Sequence, residues 1–363
     1  MDRANFALAE FLARAGHEVH LVGHRVSAEL TAYPNLAFHR VPKPFDSYSL
    51  GVPLLAAVGQ VHACTAARHR GVIVVNGGNC VFPDVNWVHY VHAAFDPVVG
   101  RNEWRATRRR ANHRLNVLME RSALRAAKVI LANSDRTRRE IIERIGVPAD
   151  RVHRVYYGMD ASRFGLVGAE ERTLARLAVG WEDNRPRVVF IGALNDRRKG
   201  FDVLYDAWRA LCASSSWDVD LVVVGTGGDL PIWRERASRD GIAARIDFLG
   251  FRDNVPQLLA ACDALVAPSR YEAYGLAVHE ALCRGLPALV ASTAGIAERY
   301  PVSLRGLILD DAQSSQAVAL ALEGWRRNAS SLQPDLRAFA DELRARSWDD
   351  VARDIVALSD GRR

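Results

Sequence analysis

Short apolar runs alternate with amphipathic helical stretches along most of this chain, and no other feature constrains its fold as strongly. Strands joined through helices must lie parallel, because each helix carries the chain back to the starting edge of the sheet. In the second half, Arg187–Gly192, Asp220–Val224, Arg245–Leu249, Asp263–Ala267, Leu286–Ala291 and Gly306–Leu309 read as strands. In the first half the candidates are His17–Val22, Leu36–Val41, Val72–Val75, Val85–Val91, Lys128–Ala132 and Val152–Tyr156. An opening helix over 4–16 would turn Leu8, Phe11, Leu12 and Ala15 inward and end at Gly16. The pattern predicts an α/β protein with two doubly wound parallel sheets.

The 363 residues suffice for two domains, and 49% hydrophobic with 25% charged residues is a globular composition. No unbroken run of about eighteen apolar residues occurs, so no membrane span is expected. The opening residues carry Asp2, Arg3 and Glu10 and do not read as a secretory leader. Cys64, Cys80, Cys212, Cys262 and Cys283 show no paired spacing, which favours reduced thiols and a cytoplasmic location. The net charge of +6 is carried by arginine, since Lys43, Lys128 and Lys199 are the lysines present. No aromatic-basic platform or recognition motif accompanies it, so nucleic acid is not an expected partner.

The densest signal is PSRYEAYGLAVHEALCRGLP, Pro268 to Pro287. A strand runs into Pro268, which cannot continue a central ladder, and the turn through Tyr274 and Gly275 opens a helix at Leu276. A helix N-terminus with glycine before it suits a phosphate. Glu272 and Glu280 bracket the turn eight residues apart, so they do not share a helical face. The bland reading is two solvated carboxylates on an ordinary strand-turn-helix unit. With its flanks, however, this Glu-x7-Glu segment resembles the donor-site motif of retaining glycosyltransferases of family four. That resemblance implies the GT-B fold, two Rossmann-like domains facing a central cleft that closes on the donor.

By this resemblance the domains are 1–160 on the acceptor side, 161–346 on the donor side, and 347–363 as a helix crossing back to the first. Gly158–Phe164 would be the linker, with charged 167–186 leading into the second domain. MDRANFALAEFLARAGHEVHLV resembles the segment after the family's first strand and glycine-rich loop, so that strand is expected to be missing here. The reaction implied is transfer of a sugar from a nucleotide-diphosphate-sugar to a sugar or lipid-linked acceptor, in polysaccharide or glycolipid assembly. The alternatives are a GT-B nucleotide-sugar epimerase and an inactive, shortened nucleotide-binding homologue.

Negative charge develops on the departing diphosphate and must be neutralised. A metal is not expected and no cofactor is implied, because the one Asp-x-Asp pair, Asp218 and Asp220, falls at the start of a strand. A basic clamp is the other route, with Lys199 in DRRKG and Arg197 or Arg198 beside it. The family's usual arginine after the first glycine is here Ala193, so the clamp's second cation stays open. The resemblance gives Glu272 the donor sugar's hydroxyls and Glu280 the ribose. Tyr274, Gly275 and Leu276 join the donor site, as do Gly225 and Gly227 of VVVGTGGDL and the Leu249-Gly250-Phe251 backbone.

Catalytic candidates are Glu272, Lys199 and His92, the last expected just past a strand where it could meet the acceptor or the transferred sugar. His89 is the second choice, against a packed histidine with no role. Residues 101–126 form an arginine-rich helix with Trp104, suited either to plain solvation or to peripheral contact with an anionic membrane at its inner face. SWDDVARDIVAL closes the chain with a capping box from Ser347 to Asp350 and an apolar face of Trp348, Val351, Ala352 and Ile355.

Overall fold

The structure, a computed structural model, describes residues 2–96 and 103–360. It divides into two compact units, one running to Gly158 and resuming at Arg346, the other Met159–Ala345.

In the first unit the strands are β1 (Val19–Gly23), β2 (Leu36–Arg40), β3 (Val74–Val75), β4 (Val85–Val88), β5 (Val129–Ala132) and β6 (Val152–Arg154). Among the described residues β1 and β2 pair in parallel, and β3-β4-β5-β6 form a parallel sheet in chain order. β4 and β5 are buried along their whole length. The run Val85–Val91 stays in the sheet only to Val88, because the chain then peels away into a turn at His92–Ala94.

The first helix, Asp2–Arg14, buries Ala4, Ala7, Leu8, Ala9 and Ala13, while Ala15 is exposed and Phe11 and Leu12 half-buried. The expected face is borne out at Leu8 and shifted elsewhere: Ala9 and Ala13 pack with Val19 and Leu30, with Leu12 against that cluster, and the last helix, Trp348–Asp360, lies against this one as well. Arg14 bonds Asp349 at 2.6 Å beside that seam. The capping box forms as expected: Ser347 N–H donates to Asp350 at 2.8 Å, and Asp350 N–H to Ser347 Oγ at 3.2 Å. Trp348, Val351, Ala352 and Ile355 are buried.

The helix Tyr48–Arg68 bears on the hydropathy reading without overturning it: by length and composition alone its Leu50–Arg68 portion is long and apolar enough to cross a membrane. Gly51, Pro53, Gln60 and His62 break the apolar run, so only the average reveals it. In the helix Glu103–Ala126, Arg108, Arg109, Arg110, Arg114, Leu115 and Leu118 are exposed. Arg101, Asn102 and the side chain of Trp104 lie outside the described residues.

In the second unit β7 (Arg187–Ile191), β8 (Asp220–Val224), β9 (Ile246–Gly250), β10 (Ala264–Ala267), β11 (Ala288–Ala291) and β12 (Ile308–Leu309) form one sheet, parallel throughout. Its order among the described residues is β12-β11-β10-β7-β8-β9, so chain order reverses between β7 and β10. In such sheets that reversal opens a crevice beyond the strands' carboxyl ends. The segment 167–186 is more than an approach. It holds the helix Ala169–Ala178, whose Arg172 and Arg176 reach Asp263 at 2.7 and 3.9 Å and bond carbonyls of Cys262 and Ala261.

Candidate active site

At the reversal in strand order, the loops after β7 and β10 are fastened together. The first descends through Gly192 to a turn at Arg197–Lys199, where Asp196 accepts from Arg198 N–H at 3.1 Å, and then to Gly200 and the helix Phe201–Cys212. The second runs from Pro268 to Gly275 and the helix Leu276–Cys283. Gly200 has φ +74°, and a Cβ on it would lie 1.9 Å from the Pro268 carbonyl oxygen. Only glycine lets the two backbones come this close. Arg270 completes the fastening: its N–H donates to Arg198 O at 2.7 Å, and its guanidinium bonds Arg197 O at 2.6 Å and both Asp202 oxygens at 2.7 and 2.9 Å. Burial alone would raise the Asp202 pKa, but hydrogen bonds from Arg270 and Arg197 outweigh it and hold the carboxyl below its usual value.

Across this seam Lys199 Nζ meets Glu272 Oε2 at 2.6 Å. Both side chains stay partly open to solvent, 31% and 24% exposed. So accessible a pair contributes about 0–1 kcal/mol to stability, and its consequence is geometric: the ammonium and the carboxylate are aimed at one point. The other members of the expected clamp are engaged elsewhere. Arg198 is bidentate to Asp196, at 2.9 and 2.5 Å, and Arg197 bonds Asp202 at 3.0 Å. A short acidic residue lies beside each arginine, and an arginine fork satisfies itself on the nearer carboxylate.

The glycine turn after β8 joins the same edge. A Cβ on Gly225 would lie 2.0 Å from Gly192 O, and one on Gly227 2.7 Å from the Asn195 backbone nitrogen. Gly225 N–H also bonds Gly250 O at 2.8 Å, so the ends of β7, β8 and β9 lie side by side. Phe251 follows there, 75% exposed. Leu276 opens the helix after Gly275, and Glu280 sits half-buried a turn further on.

Tyr274 is different from its expected role, because its side chain is only 2% exposed and turns into the core against His279, so no ligand reaches the ring. The apolar surroundings of the helix, which buries Val278, Ala281 and Leu282, draw the ring inward. Asp218 bonds Arg326 at 2.6 Å, and Asp220 bonds Arg245 at 2.7 Å and Arg185 at 3.2 Å, so both aspartates have arginine partners. A cavity of about 830 Å³ lined by Arg163, Leu166, Glu171, Pro256 and Arg284 lies elsewhere in the second unit and includes no residue of these loops.

In the first unit His92 opens the turn that Glu120 holds from below, the carboxylate accepting from His92 N–H at 2.8 Å and Ala93 N–H at 3.0 Å. The His92 ring is half-buried, edge-on to Tyr90 and near His113, with centroids 4.9 and 6.1 Å away. His89 is an internal strut. Its Nδ1 lies 2.5 Å from the Tyr157 hydroxyl, Asn133 reaches that hydroxyl at 3.1 Å, and burial lowers the His89 pKa to about 3.

Burial pushes the Glu120 pKa up from 4.5 to about 7, against the lowering effect of its two amide bonds. The folded chain therefore holds this proton more tightly than the unfolded chain. The associated stability is complete below pH 4.5 and is lost as pH rises towards about 7, a change on the order of 3 kcal/mol. Denaturant titrations between pH 4.5 and 7 should show this decline, and Glu120→Gln should flatten it. Equal slopes in both proteins would remove the assignment.

Sequence spacing did not disclose Asp202, Arg270, Glu120 or His279. Asp202 and Arg270 stand 68 residues apart and meet only through the parallel sheet. Nothing local marks either as a clasp.

Against known families, residues 1–163 match the family described as Glycosyltransferase Family 4, and residues 185–326 match Glycosyl transferases group 1. An uncharacterized glycosyltransferase of Methanocaldococcus jannaschii is 24% identical over 96% of this chain and 91% of its own length. O-antigen chain mannosyltransferase B of Escherichia coli is 30% identical, over 59% of this chain and 58% of its own. The chain also matches 59% of the length of the D-inositol 3-phosphate glycosyltransferase of Jonesia denitrificans. Among solved structures, WaaG, a glycosyltransferase involved in lipopolysaccharide biosynthesis, superposes with TM-score 0.75 at 19% identity, covering 98% of this chain and 95% of its own. Anabaena HepE, in complex with UDP and glucose, does so with TM-score 0.70 at 20% identity over the same shares. These likenesses carry the fold, which is GT-B.

Proposed function

We propose that this chain, a glycosyltransferase of the GT-B type, transfers a sugar from a nucleotide-diphosphate donor with retention of configuration and without a metal ion. The single observation that carries the reading is the Lys199–Glu272 pair at the strand-order reversal. A diphosphate leaving group needs a fixed positive charge, and Lys199 supplies it beside the N-terminus of the helix Leu276–Cys283. Glu272, at the same point, accepts hydrogen bonds from hydroxyls of the sugar, and Glu280 from the ribose. Phe251 at the end of β9 offers a face to the base. His92 serves the acceptor.

Retention would follow from attack on the face the diphosphate leaves, with a departing phosphate oxygen taking the acceptor's proton. The acceptor is a sugar or lipid-linked sugar of polysaccharide or lipopolysaccharide assembly. The roles of the similar Escherichia coli O-antigen chain mannosyltransferase and of WaaG, involved in lipopolysaccharide biosynthesis, support that choice.

The test is a panel of nucleoside diphosphates, with EDTA present throughout, read by thermal shift. A ligand at a hundred times its dissociation constant stabilises by about 2.7 kcal/mol, well within reach of such a scan. One base should raise Tm in EDTA. A panel that shifts Tm only when magnesium or manganese is restored would overturn the metal-free clamp, and one that never shifts it would overturn the donor reading.

A further inference from the structure

One helix of the first unit is apolar on nearly every side and yet lies largely open. Of its Leu50–Arg68 portion, the buried residues are Gly51 and Ala63. Leu50, Pro53, Leu54, Ala57, Val61 and Cys64 are exposed at spacings of three and four, which is one face of a helix. Leu50, Leu54 and Val61 are 50%, 40% and 65% exposed, and Phe45, on the turn that leads in, is 95% exposed. The opposite face is anchored to the protein. A Cβ on Gly51 would lie 2.9 Å from Lys43 Cγ and one on Gly59 3.6 Å from Cys80 Sγ, while the His62 ring stacks on His39 at 3.8 Å. A helix apolar all round is normally enclosed, by its own protein or by lipid. Anchored along one side, this one can lie on a bilayer but not thread through it.

Charge decides what covers the open side. From Ser47 to Pro83 the sequence has no aspartate or glutamate, while Arg68 and Arg70 stand exposed at the end of the helix, Arg68 in line with the apolar stripe. Asp46, just before the helix, is bonded to Lys43 at 2.7 Å. A second copy seated here would bring arginines to a face without acid, leaving their charge uncompensated. Anionic headgroups supply phosphate to those arginines, and the acyl layer beneath takes the leucines.

We infer that the open face of Leu50–Arg68, with Phe45, docks on an anionic lipid surface, its apolar stripe in the acyl layer and Arg68 and Arg70 on headgroup phosphates. The face lies one loop from His92: Gly59 meets Cys80, a Cβ on Gly78 would lie 2.9 Å from Glu120 N, and Glu120 accepts from His92 N–H. On the function proposed above, docking would bring that turn to the interface where a lipid-linked acceptor is anchored. The docking itself does not depend on that function.

The full chain is floated, without donor, on vesicles of phosphatidylcholine alone and of an equal mixture of phosphatidylcholine and phosphatidylglycerol. Binding should be about tenfold or more tighter on the mixture and should weaken at high salt. Leu54→Gln/Val61→Gln should lower it by about tenfold, and Arg68→Gln/Arg70→Gln by about twentyfold, with Tm nearly unchanged because these side chains face outward. Arg109→Gln/Arg110→Gln/Arg114→Gln, on the helix Glu103–Ala126, should leave it within about threefold. A polarity-sensitive dye on Cys64, in a Cys212→Ser background, should shift to the blue on the mixed vesicles, a readout that needs no change in the face itself. No binding, equal binding to both vesicles, or an unshifted dye overturns the inference. So does loss of binding in the Glu103–Ala126 variant alone, which moves the contact to that helix. A dimer that Leu54→Gln/Val61→Gln dissolves overturns it too, by giving the face to a second copy. Docking in a protein that transfers no sugar upholds the inference and counts against the transferase reading instead.

Discussion

Replacing Lys199 by alanine should lower kcat/KM for the donor by about a hundredfold to a thousandfold, the usual cost of removing one group aimed at developing charge. Part of the loss should appear in nucleoside-diphosphate affinity, because the diphosphate already carries charge in the ground state, and the rest in kcat, because more charge develops as the bond breaks. Lys43→Ala is the control: Lys43 belongs to the first unit, where it bonds Asp46 at 2.7 Å, and it should leave both quantities unchanged. Glu272→Ala should separate them. Transfer should collapse while diphosphate affinity stays within about threefold or tightens, since the carboxylate that competes for Lys199 is gone. Equal losses from Lys199→Ala and Lys43→Ala, measured by calorimetry, would end the clamp assignment, and a parallel fall of affinity in Glu272→Ala would end the division of roles.

Gly200→Ala should be strongly damaging for a conservative change in the second unit. An alanine there must hold φ +74°, which costs an L-residue roughly 1–2 kcal/mol, and must also push the Pro268 carbonyl away from 1.9 Å. The combined loss should reach about 3 kcal/mol or more, a fall in Tm on the order of 10 °C for a unit of this size. Gly180→Ala separates the two causes, because Gly180 has φ +77° and nothing within 4 Å of its would-be Cβ. It carries the strain alone and should cost about 1 kcal/mol. Similar melting temperatures for the two variants would mean that the loops after β7 and β10 part without penalty.

The parallel sheets were legible because they depend on periodicity, which local sequence carries. All six apolar runs of the second half became β7 to β12, and Asp220–Val224 did so without a residue's difference. Failures came where a partner distant in sequence decides the outcome. The first helix is also covered by a helix more than three hundred residues later, and nothing in residues 2–14 announces that contact. Tyr274 sits in a motif that suggests a ligand contact, yet the helix after it supplies His279 and an apolar wall, and the ring goes inward. Of DRRKG, the sequence could say that a cation was wanted. It named Lys199 but could not say which arginine joins it, because Asp196 and Asp202 take the arginines through contacts that only the folded loops create.

Before any donor arrives, the one lysine at the reversal is already neutralised by a carboxylate. An isolated anion must break that pair and leaves Glu272 without a replacement. Under the proposed roles, a diphosphate that still carries its sugar would compensate both halves at once, phosphate oxygens for Lys199 and hydroxyls for Glu272. On the proposed reading the pair would work as a coincidence detector: it would discriminate against stray phosphate, and it would loosen its grip on the nucleotide as soon as the sugar has gone.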